Sequence, residues 1–390
     1  MQIQTIRLHD FRNYHDLVMT PHPGVNILLG QNGSGKTNLL EAVHYCALGK
    51  SHRTSIDREV IRKGTDMAAV GVVIQKDHVK MDVAVKLTPS ENRKKSVFID
   101  RKRSERLSSL MGQVQCVIFS PEDLMIVRDG PAVRRRMIDM MLSQLSTPYF
   151  TALQQYQRAL EHRTAILHEA KHGISPDEKL LDAFEQAMAV PCGVIMPMRD
   201  EMIRKLAESA AEKYAHISGR ENESFRMTYQ PCVENTKNPV DEIRKKLRAC
   251  RQEDIRMGGA GCGIHREDIQ LTLMGRSMKV FASQGQVRTA ALAIKLAQLE
   301  IFRMQSGETP ILLLDDVMSE LDMERRTRLL SEIDGVQTFI TCTDETDLNG
   351  CRSKRTYAVS MDADGIGHIQ EETAGEETSN DVLTVDPELE

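Results

Sequence analysis

Residues 30–37 read Gly30-Gln31-Asn32-Gly33-Ser34-Gly35-Lys36-Thr37. The spacing G-x-x-x-x-G-K-[ST] is that of a loop whose backbone N–H groups wrap a polyphosphate. Glycines permit the bend, and the helix that follows brings favourable partial charge to the anion. In such a loop Lys36 reaches the β- and γ-phosphates, and the Thr37 hydroxyl binds Mg²⁺. Far downstream, Ile311-Leu312-Leu313-Leu314 runs into Asp315 and Asp316. Beside a phosphate loop, Asp315 would hold Mg²⁺ through water, while Asp316 would orient or deprotonate the attacking water. Four aliphatics and two acids are weak alone and strong in that company. A third element is Ser283-Gln284-Gly285-Gln286. It opens a helix and so offers a second anion-binding N-terminus, although Ser283 also reads simply as an N-cap. One head has one phosphate loop, so a second such turn suggests use on the nucleotide of another copy.

These residues need a strand–loop–helix frame, and the pattern supplies it. Val25–Leu29 reads as a buried strand entering the loop, and Thr37–Val43 begins the helix leaving it. Ile3–Leu8 alternates as a strand, followed by a turn at 9–14. Strand-like runs continue at 68–74, 81–87, 96–99 and 114–119. From Pro131 the apolar spacing turns helical, through 131–170, 182–216 and 241–257, without sustained heptads. Strands are expected again at 268–273 and 278–281. A helix at 287–302, a strand at 311–314, a helix at 323–333 and a strand at 337–341 follow. The fold class is α/β: a P-loop ATPase head assembled from both chain ends, 1–130 and 258–370, with a helical insertion at 131–257.

Composition bounds the class. With 41% hydrophobic and 27% charged residues, the 390-residue chain reads as soluble and globular, large enough for two or three domains. No signal-like or membrane-length apolar run is present. The 8 cysteines form no C-x-x-C pair, which predicts reduced thiols in a cytoplasm. The net charge of −5 conceals a division. Residues 371–390 carry eight acidic and no basic side chains and read as a disordered tail, leaving the remainder net positive. Basic residues cluster at Arg93-Lys94-Lys95, Arg101-Lys102-Arg103 and Arg134-Arg135-Arg136. Each alone is most often a solvated face. His265 reads as a satisfied structural histidine.

The phosphate loop, Ser283–Gln286, Ile311–Asp316 and Ser319-Glu320-Leu321-Asp322 together resemble the ABC-type ATPase heads of the SMC and Rad50 class. The chain is more closely similar to the RecF family of bacterial recombination mediators. Phe11-Arg12-Asn13-Tyr14, Ser51-His52-Arg53-Thr54, Phe119–Leu124, Gly263–Asp268 and Ser283–Thr289 carry that likeness in order. The resemblance implies ATP and Mg²⁺ as ligands, with Arg12 and Asn13 also contacting nucleotide. It implies an ATP-dependent homodimer in which Ser283, Gln284, Gly285, Gln286 and Asp322 touch the partner's ATP. It further implies DNA binding at gaps or junctions through the three basic clusters. RecR, RecO and RecA loading would be its partners and task in replication, repair and the SOS response.

Two positions depart from the wider ABC pattern: Ser120-Pro121-Glu122 stands where many carry glutamine, and Thr341-Cys342-Thr343 where a switch histidine is usual. With Asp316 in place of glutamate, these suggest slow hydrolysis that acts as a timer; the resemblance implies that DNA stimulates it. A transporter ATPase subunit and an SMC-like chromosome organiser share the motifs. The first is disfavoured by the different helical insert and the missing histidine. The second is disfavoured by an insert too short, at about 1.5 Å per helical residue, to build a long arm.

Overall fold

The computed structural model describes residues 1–76, 79–89, 95–104, 106–220, 222–344 and 353–372. Arg93 and Lys94, and residues 373–390 of the acidic segment, lie outside them. An antiparallel sheet comprises β1 (Gln2–Phe11), β2 (Tyr14–Met19), β4 (Ala68–Lys76), β5 (Val79–Leu87), β6 (Lys95–Ile99) and β7 (Lys102–Ser104), in the order β2-β1-β4-β5-β6-β7. A register shift between Ile3 and Thr5 breaks the two-residue alternation of β1. Ile3 and Ile6, three apart, are therefore both buried.

The second sheet joins the chain ends. Its order is β15 (Gly367–Glu371), β14 (Lys354–Met361), β3 (Val25–Leu29), β13 (Thr338–Cys342), β12 (Ile311–Leu314) and β8 (Cys116–Phe119). All neighbours pair in parallel except β14 with β15. Parallel strands covered on both faces read as unbroken apolar runs, as Ile311–Leu314 does. Cys116, Ile118, Ile311, Leu313 and Phe339 point into a core shared with the antiparallel sheet and α1 (Lys36–Leu48). Val117, Phe119, Leu312, Leu314 and Ile340 point into the opposite core, which the remaining helices fill.

Those helices are α2 (Met125–Arg128), α3 (Pro131–Leu145), α4 (Thr147–Lys171), α5 (Glu178–Ser218), α6 (Val240–Met257), α7 (Met278–Phe281), α8 (Gln284–Ser306) and α9 (Met323–Glu332). The spine is α5: it packs on α4 and α6, on α8, and on β9 (Phe225–Gln230). A small sheet, β11 (Arg276–Ser277), β10 (Asp268–Leu273) and β9, crosses the expected boundary at 257/258, because β9 pairs with β10. Arg163 is wholly buried between Glu185 and Asp254, while Arg251 binds Glu185, Asp182 and Glu178. Buried charges of this kind persist only when paired. Among the described residues no helix is long and apolar enough to cross a membrane.

Two expectations are corrected. Residues 278–281 form a helical turn, not a strand: Met278 is buried while Val280 and Phe281 are exposed. Cys250 and Cys262 are joined in a disulfide, where free thiols were expected. The loop after α6 folds back, with the Gly261 N–H donating to Asp254 at 2.8 Å, and brings together two cysteines twelve positions apart.

Candidate nucleotide site

The phosphate loop is shaped from outside as much as by its own glycines. Gly35 has φ +112°, and a Cβ there would lie 2.4 Å from the Asn13 side chain. Asn13 Nδ2 donates to the Ser34 carbonyl (3.1 Å), and the buried Tyr14 hydroxyl donates to the Gly35 carbonyl (3.1 Å). The hairpin tip between β1 and β2 thus props the loop from beneath, which explains the Asn13-Tyr14 pair. Lys36 folds its ammonium onto the carbonyls of Gly30 (2.5 Å) and Gln31 (2.8 Å). Burial pushes its pKa down, and the neighbouring Cys342, Asp316 and Asp315 oppose that shift. Gln31, Asn32 and Gly33 are exposed at the rim.

Thr37 Oγ1 donates to Asp315 Oδ1 at 2.8 Å, joining residues 278 positions apart. Thr341, on β13, donates to the same oxygen (2.9 Å) and accepts the Asp316 N–H (2.8 Å). Burial raises the Asp315 pKa, and the two threonine hydroxyls pull it back. Asp316 is exposed, has φ +52°, and accepts from Ser319 Oγ at 3.1 Å. Aspartate is among the residues that tolerate the left-handed region. The converging Thr37 and Asp315 oxygens are hard donors. Mg²⁺ is held by one or two protein oxygens plus phosphates and water, so this pair fits it.

Arg12 is placed differently from the expectation. Its guanidinium forks onto the fully buried Glu41 of α1 (2.8 and 2.7 Å) and donates to the Glu59 carbonyl. Ser51 and Arg53 close on the same carboxylate. Arg12 therefore anchors the helix behind the loop, and the Ser51–Thr54 motif completes that anchor.

The turn opening α8 is a full capping box. Ser283 Oγ accepts the Gln286 N–H (3.3 Å), and Gln286 Oε1 accepts the Ser283 N–H (2.9 Å). Ser283 and Gln284 are exposed. Asp322 caps α9 and pairs with Arg325. Ser120 and Asp123 cap the turn after β8, and Asp123 binds Lys295 of α8 at 2.7 Å.

Residues 2–368 match the family described as RecF/RecN/SMC N terminal domain. A DNA replication and repair protein RecF of Acetivibrio thermocellus is 39% identical over 353 residues, covering 88% of this chain and 94% of the relative. The RecF of Pediococcus pentosaceus is 37% identical over 349 residues, covering 88% and 92%. The chain belongs to the RecF family. A solved RecF–ATP structure, of the recombination mediator in the RecFOR pathway, matches with a TM-score of 0.82 at 29% identity over 95% of this chain and 98% of that one. An SMC head from Pyrococcus furiosus, at 16% identity and a TM-score of 0.55 over 95% and 96%, shares the fold alone.

The structure divides the three basic clusters. Arg134 is 6% exposed and spends its donors on Asp268 (2.7 and 3.0 Å) and on the Ile126 and Asp129 carbonyls, so it is withdrawn as a DNA contact. Arg135 donates to the Glu267 carbonyl, and the exposed Arg136 to that of His52. Lys95 pairs with Asp57 at 2.8 Å and lies over the Tyr45 ring. Arg101 occupies a two-residue turn with Asp100, both at positive φ, the hairpin geometry that matches strand twist. That turn holds Arg101 and Lys102 out to solvent, while Arg103 reaches Ser96 Oγ. His265 is satisfied by the Tyr156 hydroxyl and the Ala260 carbonyl. The Gly263–Asp268 motif is a packing hub: Arg199 binds the Ile264 carbonyl and Glu267, and Tyr229 donates to Glu267.

Proposed function

We propose that this chain is an ATP-gated DNA clamp that serves DNA replication, recombinational repair and the SOS response in the cytoplasm. The head comprises 1–130 with 258–370, and 131–257 is an inserted lobe. ATP binds along Gly30–Thr37, with Lys36 on its terminal phosphates and Asn13 bracing the loop. Mg²⁺, held by Thr37 and Asp315, would neutralise charge on the β- and γ-phosphates. Asp316 orients the attacking water, and hydrolysis is slow, as a timer requires.

The observation that carries the dimer is the exposure of two anion-binding surfaces, the rim at Gln31–Gly33 and the capped turn at Ser283–Gln284. The capping box already satisfies the Ser283 and Gln286 N–H groups, which leaves the first-turn N–H groups of Gln284 and Gly285 without a partner inside the helix. A partner's γ-phosphate at that turn joins two helix N-termini across an interface, with Asp322 beside it. DNA is held by phosphate contacts from Arg101, Lys102, Arg103, Arg135 and Arg136, with weak base preference. Gapped or junction DNA is the substrate, and RecR- and RecO-like proteins and RecA loading complete the pathway.

Sedimentation of wild type, Lys36→Met and Ser283→Arg with and without ATP·Mg²⁺ and a gapped duplex tests this reading. A dimer that forms only with ATP, fails in both variants and binds DNA more tightly is expected. A nucleotide-independent monomer that binds ATP normally would remove the clamp and leave the nucleotide site standing.

A further inference from the structure

Two half-buried cysteines meet where the chain leaves the inserted lobe. Cys250 lies in the second half of α6 and Cys262 in the loop that follows, and their sulfurs are bonded. The residues between them are also tied down by other contacts. Gly258 and Gly259 donate to the Asp254 carbonyl, and the Gly261 N–H donates to the Asp254 carboxylate, which also holds the buried Arg163. Ala260 packs with Leu167 of α4 and Leu181 of α5. Its carbonyl accepts from His265 at 3.0 Å and from Arg266 at 2.8 Å. These contacts bring the two sulfurs within reach and do not themselves require the bond.

The other thiols of the described residues are placed differently. Cys46, Cys116, Cys192 and Cys342 are buried, and burial pushes the thiols of Cys46, Cys116, Cys192 and Cys232 up. The thiolate is the reactive form, so those four are poor nucleophiles at neutral pH. Cellular thiols and dithiols keep cytoplasmic cysteines reduced, and the disulfides that do form there are mostly transient, catalytic or redox-sensing. Cys250 and Cys262 lack the C-x-x-C spacing of a catalytic pair and are built into a joint between elements. Sensing is the use that such a pair fits.

We propose that Cys250 and Cys262 form a reversible redox switch on the joint between lobe and head, a dithiol at rest and a disulfide under peroxide. In closing, one thiol attacks a peroxide oxygen, the O–O bond breaks, and a sulfenic acid forms as water leaves. The second thiol attacks that sulfur, forming the S–S bond and releasing a second water. Two thiols are thus oxidised, and one hydrogen peroxide is reduced to two waters. In opening, a dithiol attacks the bridge, passes through a mixed disulfide and leaves as its own disulfide, returning both cysteines as thiols. The bond links α6 to Gly263–Asp268, the segment that receives Arg135 and Arg199 and leads into β10. Closing stiffens that joint, and the structure holds the closed form. The resting state as a dithiol rests on the cytoplasmic reading above; the chemistry of the pair does not.

The test compares the full chain in its two states and uses neither ATP nor DNA, so its failure is separate from failure of the clamp. Protein reduced with dithiothreitol and desalted without oxygen receives one equivalent of hydrogen peroxide. Its thiols are then alkylated and read cysteine by cysteine by mass spectrometry. Cys250 and Cys262 should lose label together, within one chain, while the other cysteines keep theirs, and fresh dithiothreitol should restore both. Amide exchange then reads the joint: on reduction residues 258–266 should exchange roughly tenfold faster, and residues 25–37 should be unchanged. Cys250→Ser should exchange at the reduced rate with or without peroxide. Label lost first at other cysteines, a bond formed between two chains, or a bridge that dithiothreitol does not open overturns the proposal. So does equal exchange at 258–266 in the two states of the wild type.

Discussion

Thr341 binds both acidic residues at the end of β12: its hydroxyl donates to Asp315 Oδ1 and accepts the backbone N–H of Asp316. One side chain thereby sets both the carboxylate proposed to hold Mg²⁺ and the backbone that presents Asp316, the proposed water-orienting group. Replacing it by the near-isosteric Val deletes both bonds without opening a cavity. Thr341→Val should weaken Mg²⁺·ATP binding by roughly tenfold, the usual cost of losing a residue that orients a metal ligand. Thr341→Ser should restore it. Asp315, already raised by burial, loses one of the two hydroxyls that counter the rise. Nucleotide binding should therefore fail at higher pH in the Val variant than in wild type as pH is lowered. A fluorescent nucleotide titrated across pH measures both effects, and an unchanged midpoint would count against the role.

Arg134 and Arg136 should separate stability from DNA binding. Arg134→Ala leaves Asp268 and two carbonyls without their donor, and is expected to cost about 3 kcal/mol. Arg136→Ala should leave the urea midpoint in place, weaken DNA binding uniformly across sequences and reduce the salt slope by about one. Urea melts and DNA titrations at several salt concentrations separate the two cases. Equal destabilisation by both substitutions would overturn the division.

His52 makes stability depend on pH in a defined direction. Its two ring nitrogens are buried beside His44 without hydrogen-bond partners among the described residues, and burial pushes its pKa down to about 4. The unfolded chain binds this proton near pH 6.5, so its contribution is whole above that value. It is lost as pH falls toward 4. His44 is depressed for the same reason and acts in the same sense. Between pH 7 and pH 5 the wild-type urea midpoint should fall, and His52→Phe should fall less. Identical pH slopes in the two proteins would show that His52 is not buried in its neutral form.

The nucleotide-binding elements could be read from the chain because each is local. A phosphate loop is eight consecutive residues, and the Asp315-Asp316 pair ends a continuous apolar run. Thr341 and Glu41 could not be read in their roles, because their partners lie far away in sequence and meet only in the packed head. Arg134–Arg136 are chemically alike, yet successive positions turn by about 100° around a helix. One therefore faces Asp268 and another the solvent. Met278–Phe281 holds three apolar residues and one lysine in four positions, too short a run to separate a strand from a helical turn. The Phe225–Gln230 strand was hidden in a helical setting, with three of its six residues exposed. A search for adjacent cysteines could not see the Cys250–Cys262 bridge, which depends on a loop doubling back.

Because β3 lies between β13 and β14, the strand that enters the phosphate loop gains its neighbours only after more than three hundred further residues have been made. During synthesis both its edges wait unpaired while the antiparallel sheet and the helical lobe can already form. Distant pairings of this kind are slow and leave sticky edges exposed. The order of translation therefore acts as a safeguard: an incomplete chain cannot assemble the site, and nucleotide capture becomes a late sign that the whole head has been built.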